Sequence, residues 1–238
     1  MTIKIKKKTR SGLRDIWNSF MVKEAVFSKN GIPFCPNTTD QVPESLITYE
    51  EAIQIYNQEL RRKNKHFHSK SFVCFFIDDY KFDNSRGIWL QWKLAKRVLE
   101  HFEGIITPDF STYQDFPLPL KLFATYKMRA FGYWWGSLGH KVINNIRGDM
   151  SSCDLCFDGI PRKGIICIGT VASGLRKKIN QGPFEVWFEK MIEVLKPHTI
   201  IVYGSCNYRC FETAKKTGIK VISFPSKTSL AFKKGDLQ

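Results

Sequence analysis

Apolar positions along the chain alternate between two patterns. From residue 71 onward, short runs rich in β-branched and aromatic residues are separated by longer stretches with helical spacing. The short runs are 71–77 (SFVCFFI), 104–107 (GIIT), 141–146 (KVINNI), 164–170 (GIICIGT), 199–203 (TIIVY) and 219–224 (IKVISF). Helical spacing lies near 89–102, 117–138, 182–196 and 207–217. In 182–196, Phe184, Trp187, Phe188, Met191, Ile192 and Leu195 form one stripe, with Pro183 in the first turn and Pro197 after the end. Continuous apolar strands alternating with amphipathic helices predict βαβ units. The expected fold is therefore α/β, a mostly parallel sheet of about six strands with flanking helices, either open and doubly wound or an incomplete barrel.

Upstream the pattern is less regular. Thr48 and Glu51 make a capping box, and Ala52, Ile55, Tyr56 and Leu60 keep helical spacing up to the basic run RRKNK. Residues 30–47, rich in Pro, Asn and Thr, read as a loop or linker. The expected division is a basic arm over 1–14, a helical N-terminal extension and linker over 15–70, and an α/β domain over 71–238.

The 238 residues include 37 Lys+Arg and 22 Asp+Glu, a formal charge of +15. Residues 1–119 hold 18 basic and 14 acidic side chains, residues 120–238 hold 19 and 8, and the first 14 hold six cations and no acid. Such an excess favours polyanionic partners, nucleic acid first among them, and excludes DNA mimicry, which needs an acidic surface. No run approaches the roughly 18–20 apolar residues of a membrane span, and the basic start lacks the apolar stretch of a secretory signal. Seven cysteines, an odd number, fit reduced thiols. The expectation is a cytoplasmic protein of a bacterial host without a membrane partner.

In parallel α/β folds ligands bind beyond the carboxyl ends of the strands. There the sequence places Asp78 and Asp79 after the first apolar run, Asp109 and Ser111 after the second, Arg147 and Asp149 after the third, Thr170 and Ser173 after the fourth, and Tyr203 and Ser205 at the fifth. Asp79, Asp109 and Asp78 are the candidate catalytic residues. Adjacent strand ends lie about 5 Å apart, so Asp79 and Asp109 are also the candidate ligands of one divalent ion, Mg²⁺ or Mn²⁺ rather than zinc. Asp78 and Asp79 point in opposite directions, and Asp79 is the favoured one. Each aspartate has a plainer role available as a helix cap.

The candidate nucleic-acid contacts are Lys4, Lys6, Lys7, Lys8 and Arg10 in the arm and Arg176, Lys177 and Lys178 in GLRKK. To these is added Arg129, on the polar flank of a helix whose Leu118, Leu122, Phe123, Tyr126, Ala130 and Trp134 face inward. Two other patterns carry little weight. His66-Phe67-His68 matches the metal-binding strand of rolling-circle nucleases, but the parallel layout is wrong for that antiparallel fold. Cys153 and Cys156 with Cys206 and Cys210 make a zinc site only if two distant pairs meet.

FFIDDYKFD (75–83), ITPDFSTYQDFPLPLKLFATYKMRAFGYWWGSLGHKVI (106–143) and CFDGIPRKGIICIGTVAS (156–173) carry a resemblance. Together they resemble a domain family of unknown function found in phages, prophages and mobile elements of Gram-positive bacteria, over about residues 70–205. The resemblance implies a compact bacterial or phage protein and supplies no activity or catalytic residues. Where that family usually has Trp after the third strand, this chain has Arg147. Three functions follow from the residues. The first is nucleic-acid binding through basic surfaces, with metal-dependent phosphodiester chemistry at the aspartates. The second is a non-enzymatic inhibitor or adaptor of a host defence or replication protein. The third is an enzyme acting on an anionic nucleotide or metabolite.

Overall fold

The computed structural model describes residue 15 and residues 17–171, 173–227 and 229–230. Seven strands form one sheet: β1 (Leu46–Thr48), β2 (Ser69–Cys74), β3 (Phe102–Ile106), β4 (Lys141–Asn145), β5 (Ile165–Gly169), β6 (Thr199–Tyr203) and β7 (Lys220–Phe224). The strands lie in sequence order and every neighbouring pair is parallel. Six helices connect them in turn: α1 (Tyr49–Arg61), α2 (Trp92–Leu99), α3 (Leu118–Ser137), α4 (Cys153–Cys156), α5 (Lys178–Leu195) and α6 (Arg209–Lys216). Sequential order with crossovers of one hand puts all the helices on one face of the sheet. The sheet curls the other way into an open, incomplete half-barrel. Of the two expected architectures this is the barrel-like one.

Both faces of the central strands are dry. On the convex side Val73, Phe75, Ile105 and Val142 pack under α1–α3 with Met128, Phe131 and Trp135, while Ile166, Ile168, Ile200 and Val202 pack under α5 and α6 with Trp187, Phe188 and Phe211. On the concave side Phe72, Cys74, Ile106, Ile143, Ile165, Cys167, Ile201 and Tyr203 fill the hollow. Strands buried on two sides need apolar residues throughout, which is why they read as continuous runs.

Two glycines make the filling possible. A Cβ on Gly104 would lie 2.7 Å from the Phe72 ring, and one on Gly169 would lie 2.5 Å from the Phe76 ring. Phe76 reaches across the hollow from the end of β2 to stack on Tyr203 of β6, with ring centroids 5.2 Å apart. The bottom of the hollow is plugged by the segment that the sequence reads as a linker. Val42 packs inside, Asn37 Nδ2 donates to the Ile165 carbonyl at 2.6 Å, and Thr38 Oγ1 donates to the His140 carbonyl at 2.7 Å.

Three expectations need correction. Strand β1, absent from the sequence reading, opens the sheet. The capping box over Thr48 and Glu51 is present and starts α1, the first crossover helix. Helix α5 starts at Lys178, which leaves Pro183 inside the helix instead of in its first turn. Helix α3 is buried over most of its circumference, so its inward face includes Lys121, Lys127 and Arg129, whereas Leu118 and Phe123 are exposed.

Gly104→Ala should destabilise the fold by about 1–3 kcal/mol, because the Phe72 ring has no free space into which to move. Urea unfolding of the two proteins checks this. An unchanged midpoint would show that the hollow is not tightly filled.

Candidate functional site

At the carboxyl ends of the strands the hollow opens into a cleft of about 750 Å³. Residues at or after the ends of all seven strands line it: Thr48 and Glu50, Asp78 and Asp79, Asp109 with Ser111 to Gln114, Asn145 to Ser151, Val171 and Ser173, Tyr203, and Ser226 with Lys227. The gap between the edge strands β1 and β7 is bridged at this rim by side chains. Glu50 accepts from Lys227 at 3.3 Å and pairs with Lys81 at 3.4 Å. The Lys227 hydrogen bond, with both ammonium charges, holds the Glu50 carboxyl below its usual range.

The floor of the cleft is built on Asp109, which is 6% exposed. Its Oδ1 accepts from Asn145 Nδ2 at 2.6 Å and its Oδ2 accepts from Arg147 Nη1 at 2.5 Å. Arg147 Nη2 also donates to Ser111 Oγ at 3.2 Å, and its guanidinium lies over the Tyr113 ring at 5.6 Å. Ser111 in turn donates to Asp79 twice, from Oγ at 2.9 Å and from its backbone N–H at 3.1 Å. The loops after β2, β3 and β4 are thus joined in one chain of polar contacts. Burial raises the Asp109 pKa, and the charge of Arg147 and the bond from Asn145 offset this only in part. The same pairing raises the pKa of Arg147 against its own burial.

Of the two adjacent aspartates, Asp79 reaches the floor, while the Asp78 side chain is 68% exposed at the mouth and pairs with Lys81 at 3.9 Å. Asp79 and Asp109, the expected ligands of one divalent ion, are joined through Ser111 and Arg147. Both oxygens of Asp109 accept from cationic or amide donors. Among the described residues no group of three His, Cys, Asp or Glu is placed to hold a metal.

Arg129 is not a surface cation. It is fully buried, and its guanidinium donates to the carbonyls of Asp158 at 3.1 Å, Asn145 at 3.2 Å and Cys156 at 3.1 Å. Burial draws its pKa down to about 10, so it stays charged at neutral pH, satisfied by backbone oxygens and out of reach of phosphates. Arg176 and Lys177 on the loop between β5 and α5, and Lys178 as the first residue of α5, are exposed beside the cleft residues Ser173 and Asn180, and the structure shows no ion pair for them among the described residues. Lys4, Lys6, Lys7, Lys8 and Arg10 lie outside the described residues.

Sequence reasoning named Asp79, Asp109, Ser111 and Arg147 from their place after strands. It missed Asn145, Thr112 and the Glu50–Lys227 bridge. Asn145 was visible only as one of two asparagines inside an apolar strand, a costly place for an amide without a partner. The discounted His66 and His68 stand at the start of β2, at the opposite end of the barrel from the cleft, with His68 2.9 Å from Glu103. The buried thiols of Cys35 and Cys156 are pushed up to about 12, and those of Cys74 and Cys167 are also raised, all by burial, which leaves them unreactive at neutral pH.

Arg147→Met should cost about 3 kcal/mol, because it strands the Asp109 carboxylate in a dry floor. Arg147→Met with Asp109→Leu should recover most of that loss, a coupling that chemical denaturation of the four proteins measures. The pH dependence has a defined sign. A raised folded-state pKa means that the stability due to protonated Asp109 is complete below its unfolded value and lost as pH rises through the folded value. The stability of the wild type relative to Asp109→Asn should therefore fall as pH rises above about 4. A difference that is flat with pH would place Asp109 in a solvated site.

The geometry can be set beside known proteins. Residues 26–225 match the family described as Domain of unknown function (DUF4417). The chain is 29% identical over 139 residues to the Gene 1 protein of Mycobacterium phage D29, covering 56% of this chain and 48% of the relative. It is 30% identical over 139 residues to the Gene 1 protein of Mycobacterium phage L5, covering 56% and 57%. The chain thus spans about half the length of these curated relatives. No solved structure matches it, and no described helix is long and apolar enough to cross a membrane. The family match covers every strand of the half-barrel and all but the last residues of the rim, and the chain therefore belongs to the DUF4417 family, among phage and mobile-element proteins.

Proposed function

We propose that the chain is an enzyme that binds an anionic nucleotide in the rim cleft, with Asp109 as its proton-transfer group and Arg147 as the residue that positions it. The observation that carries this reading is the convergence of all seven strand ends on one cavity with a buried, ion-paired carboxylate on its floor. A concave site of about 750 Å³ is in the range for a small organic ligand and unlike a flat docking face. A carboxyl whose pKa is raised by burial is suited to exchanging protons with a substrate. The half-exposed Tyr113 ring offers an apolar face to a base. Arg176, Lys177 and Lys178, at and just before the start of α5, offer cations to a phosphate. Asp109 would give or take the proton, Asn145 and Arg147 would hold its carboxyl in place, and Asp79 would fix Ser111 at the edge of the site.

A second reading, nucleic-acid binding, is favoured by the same exposed trio and by the basic composition of residues 1–14. In it a strand crosses the mouth of the cleft and its terminal nucleotide enters.

Thermal shift and calorimetry with nucleoside mono-, di- and triphosphates test the first reading. At least one should raise the melting temperature of the wild type. Arg176→Ala, Lys177→Ala and Lys178→Ala combined should weaken its binding by about tenfold or more without unfolding the protein. For a single-stranded oligonucleotide, the same triple variant should lower the slope of log K against log salt by about two. No binding of any nucleotide, with oligonucleotide retention intact, would overturn the first reading and leave the second.

A further inference from the structure

We infer that the ligand of the cleft presents a hydrogen-bond donor to Asn145 Oδ1 and an acceptor to Thr112 Oγ1. This rests on the reading of the cleft as a nucleotide site and specifies which edge of the nucleotide is recognised.

Two polar atoms on the floor have no partner in the protein. Asn145 has no exposed surface, and its amide is oriented by its neighbour: Nδ2 donates to Asp109 Oδ1 at 2.6 Å. An ionised carboxylate only accepts, so the opposite orientation would set two acceptors against each other. Oδ1 must then face away from Asp109, and there it accepts nothing. Thr112 is 5% exposed and its Oγ1 likewise has no partner. Both residues line the cleft. A third such atom, Asn144 Oδ1, is on the other side of β4. The amide of Asn144 is bonded to Cys35 and Asn37 beneath the convex cluster, and the residue does not line the cleft.

Buried polar groups are nearly always paired, and unpaired ones are costly. At position 112 the cost is avoidable, since valine has the same shape without the hydroxyl. Two unpartnered polar atoms on residues that line one cavity form a pattern that a ligand completes. Asn145 Oδ1 requires an N–H or O–H. Thr112 Oγ1 can donate to a carbonyl. The N–H and C=O of the Watson–Crick edge of uracil, thymine or guanine supply both. The neighbouring hydroxyls of a ribose supply the same pair, and the two sources are separable by experiment.

The test uses the full chain and four probes: uridine monophosphate, its N3-methyl derivative, guanosine monophosphate and ribose 5-phosphate. Affinity and melting temperature are read for the wild type, Thr112→Val and Thr112→Ser. The inference expects Thr112→Val to melt at the same temperature as the wild type or higher when unliganded. It expects that variant to bind uridine or guanosine monophosphate about tenfold or more weakly, and Thr112→Ser to restore binding. Loss of binding on N3-methylation assigns the contact to the base edge. Equal binding of ribose 5-phosphate, lost in the same variant, assigns it to the sugar. If the nucleotides bind wild type and Thr112→Val equally, the inference is wrong and the nucleotide reading stands. If none of the probes binds the wild type, both fall together.

Discussion

A parallel sheet that curls but does not close must fill its hollow and bridge its gap without an eighth strand. Nearly every unusual feature of this chain answers that constraint. The hollow is narrow enough that Phe72 needs a glycine opposite it, at its register partner Gly104. Phe76 needs Gly169 beneath it to reach Tyr203 on the far side. At the rim the missing pairing between β1 and β7 is replaced by charge, with Glu50 held between Lys81 and Lys227. At the bottom the segment around Asn37 and Val42 enters the hollow, and its polar groups bond backbone groups at the starts of β4 and β5. Barrels remove their edges by closure; this sheet bridges its edges at the rim with an ion pair.

The same geometry sorts the cations. A chain with 37 Lys and Arg invites a purely electrostatic reading, but the structure commits several of them to the interior. Arg129 gathers three carbonyls from the β4–α4 region and so ties α3 to the wall of the cleft. Lys121 donates to the Gln114 carbonyl and to Ser151 Oγ, joining the loops after β3 and β4. Lys127 pairs with Asp83 at 2.5 Å beneath the Phe110 ring. These cations position the rim loops. The cations left without a described partner at the mouth, Arg176 to Lys178, are those whose charge is available to a ligand.

Much of this was legible in the chain. Six of the seven strands and five of the helices follow from apolar period, because strands buried on both faces and helices buried on one leave distinct signatures. β1 escaped because three residues, Leu46–Thr48, are too few to show a period. Arg129 was misread because helical spacing assumes one wet face, whereas α3 is enclosed on most sides and its polar residues are bonded inward. The rim aspartates were legible from topology alone: a parallel strand delivers whatever follows it to the ligand end. What topology does not provide is the identity of each aspartate's partner. Arg147 and Asn145 stand 38 and 36 residues from Asp109 in sequence, and only the curvature that brings β3 beside β4 joins them.

The two ends of the half-barrel are therefore built on different principles. At the strand starts polar groups find each other: His68 and Lys141 both meet Glu103, whose carboxyl they hold below its usual range, and the plug satisfies the backbone. At the strand ends the floor leaves Asn145 Oδ1 and Thr112 Oγ1 without partners beside a desolvated carboxyl. A fold selected only for stability gains nothing from that asymmetry, since an apolar floor would pack as well and cost less. The polar strain is concentrated where seven loops meet and where the concave face is open. That is where binding energy from a ligand can be recovered, and it is the physical reason for placing function at this rim, not on the charged surface at large.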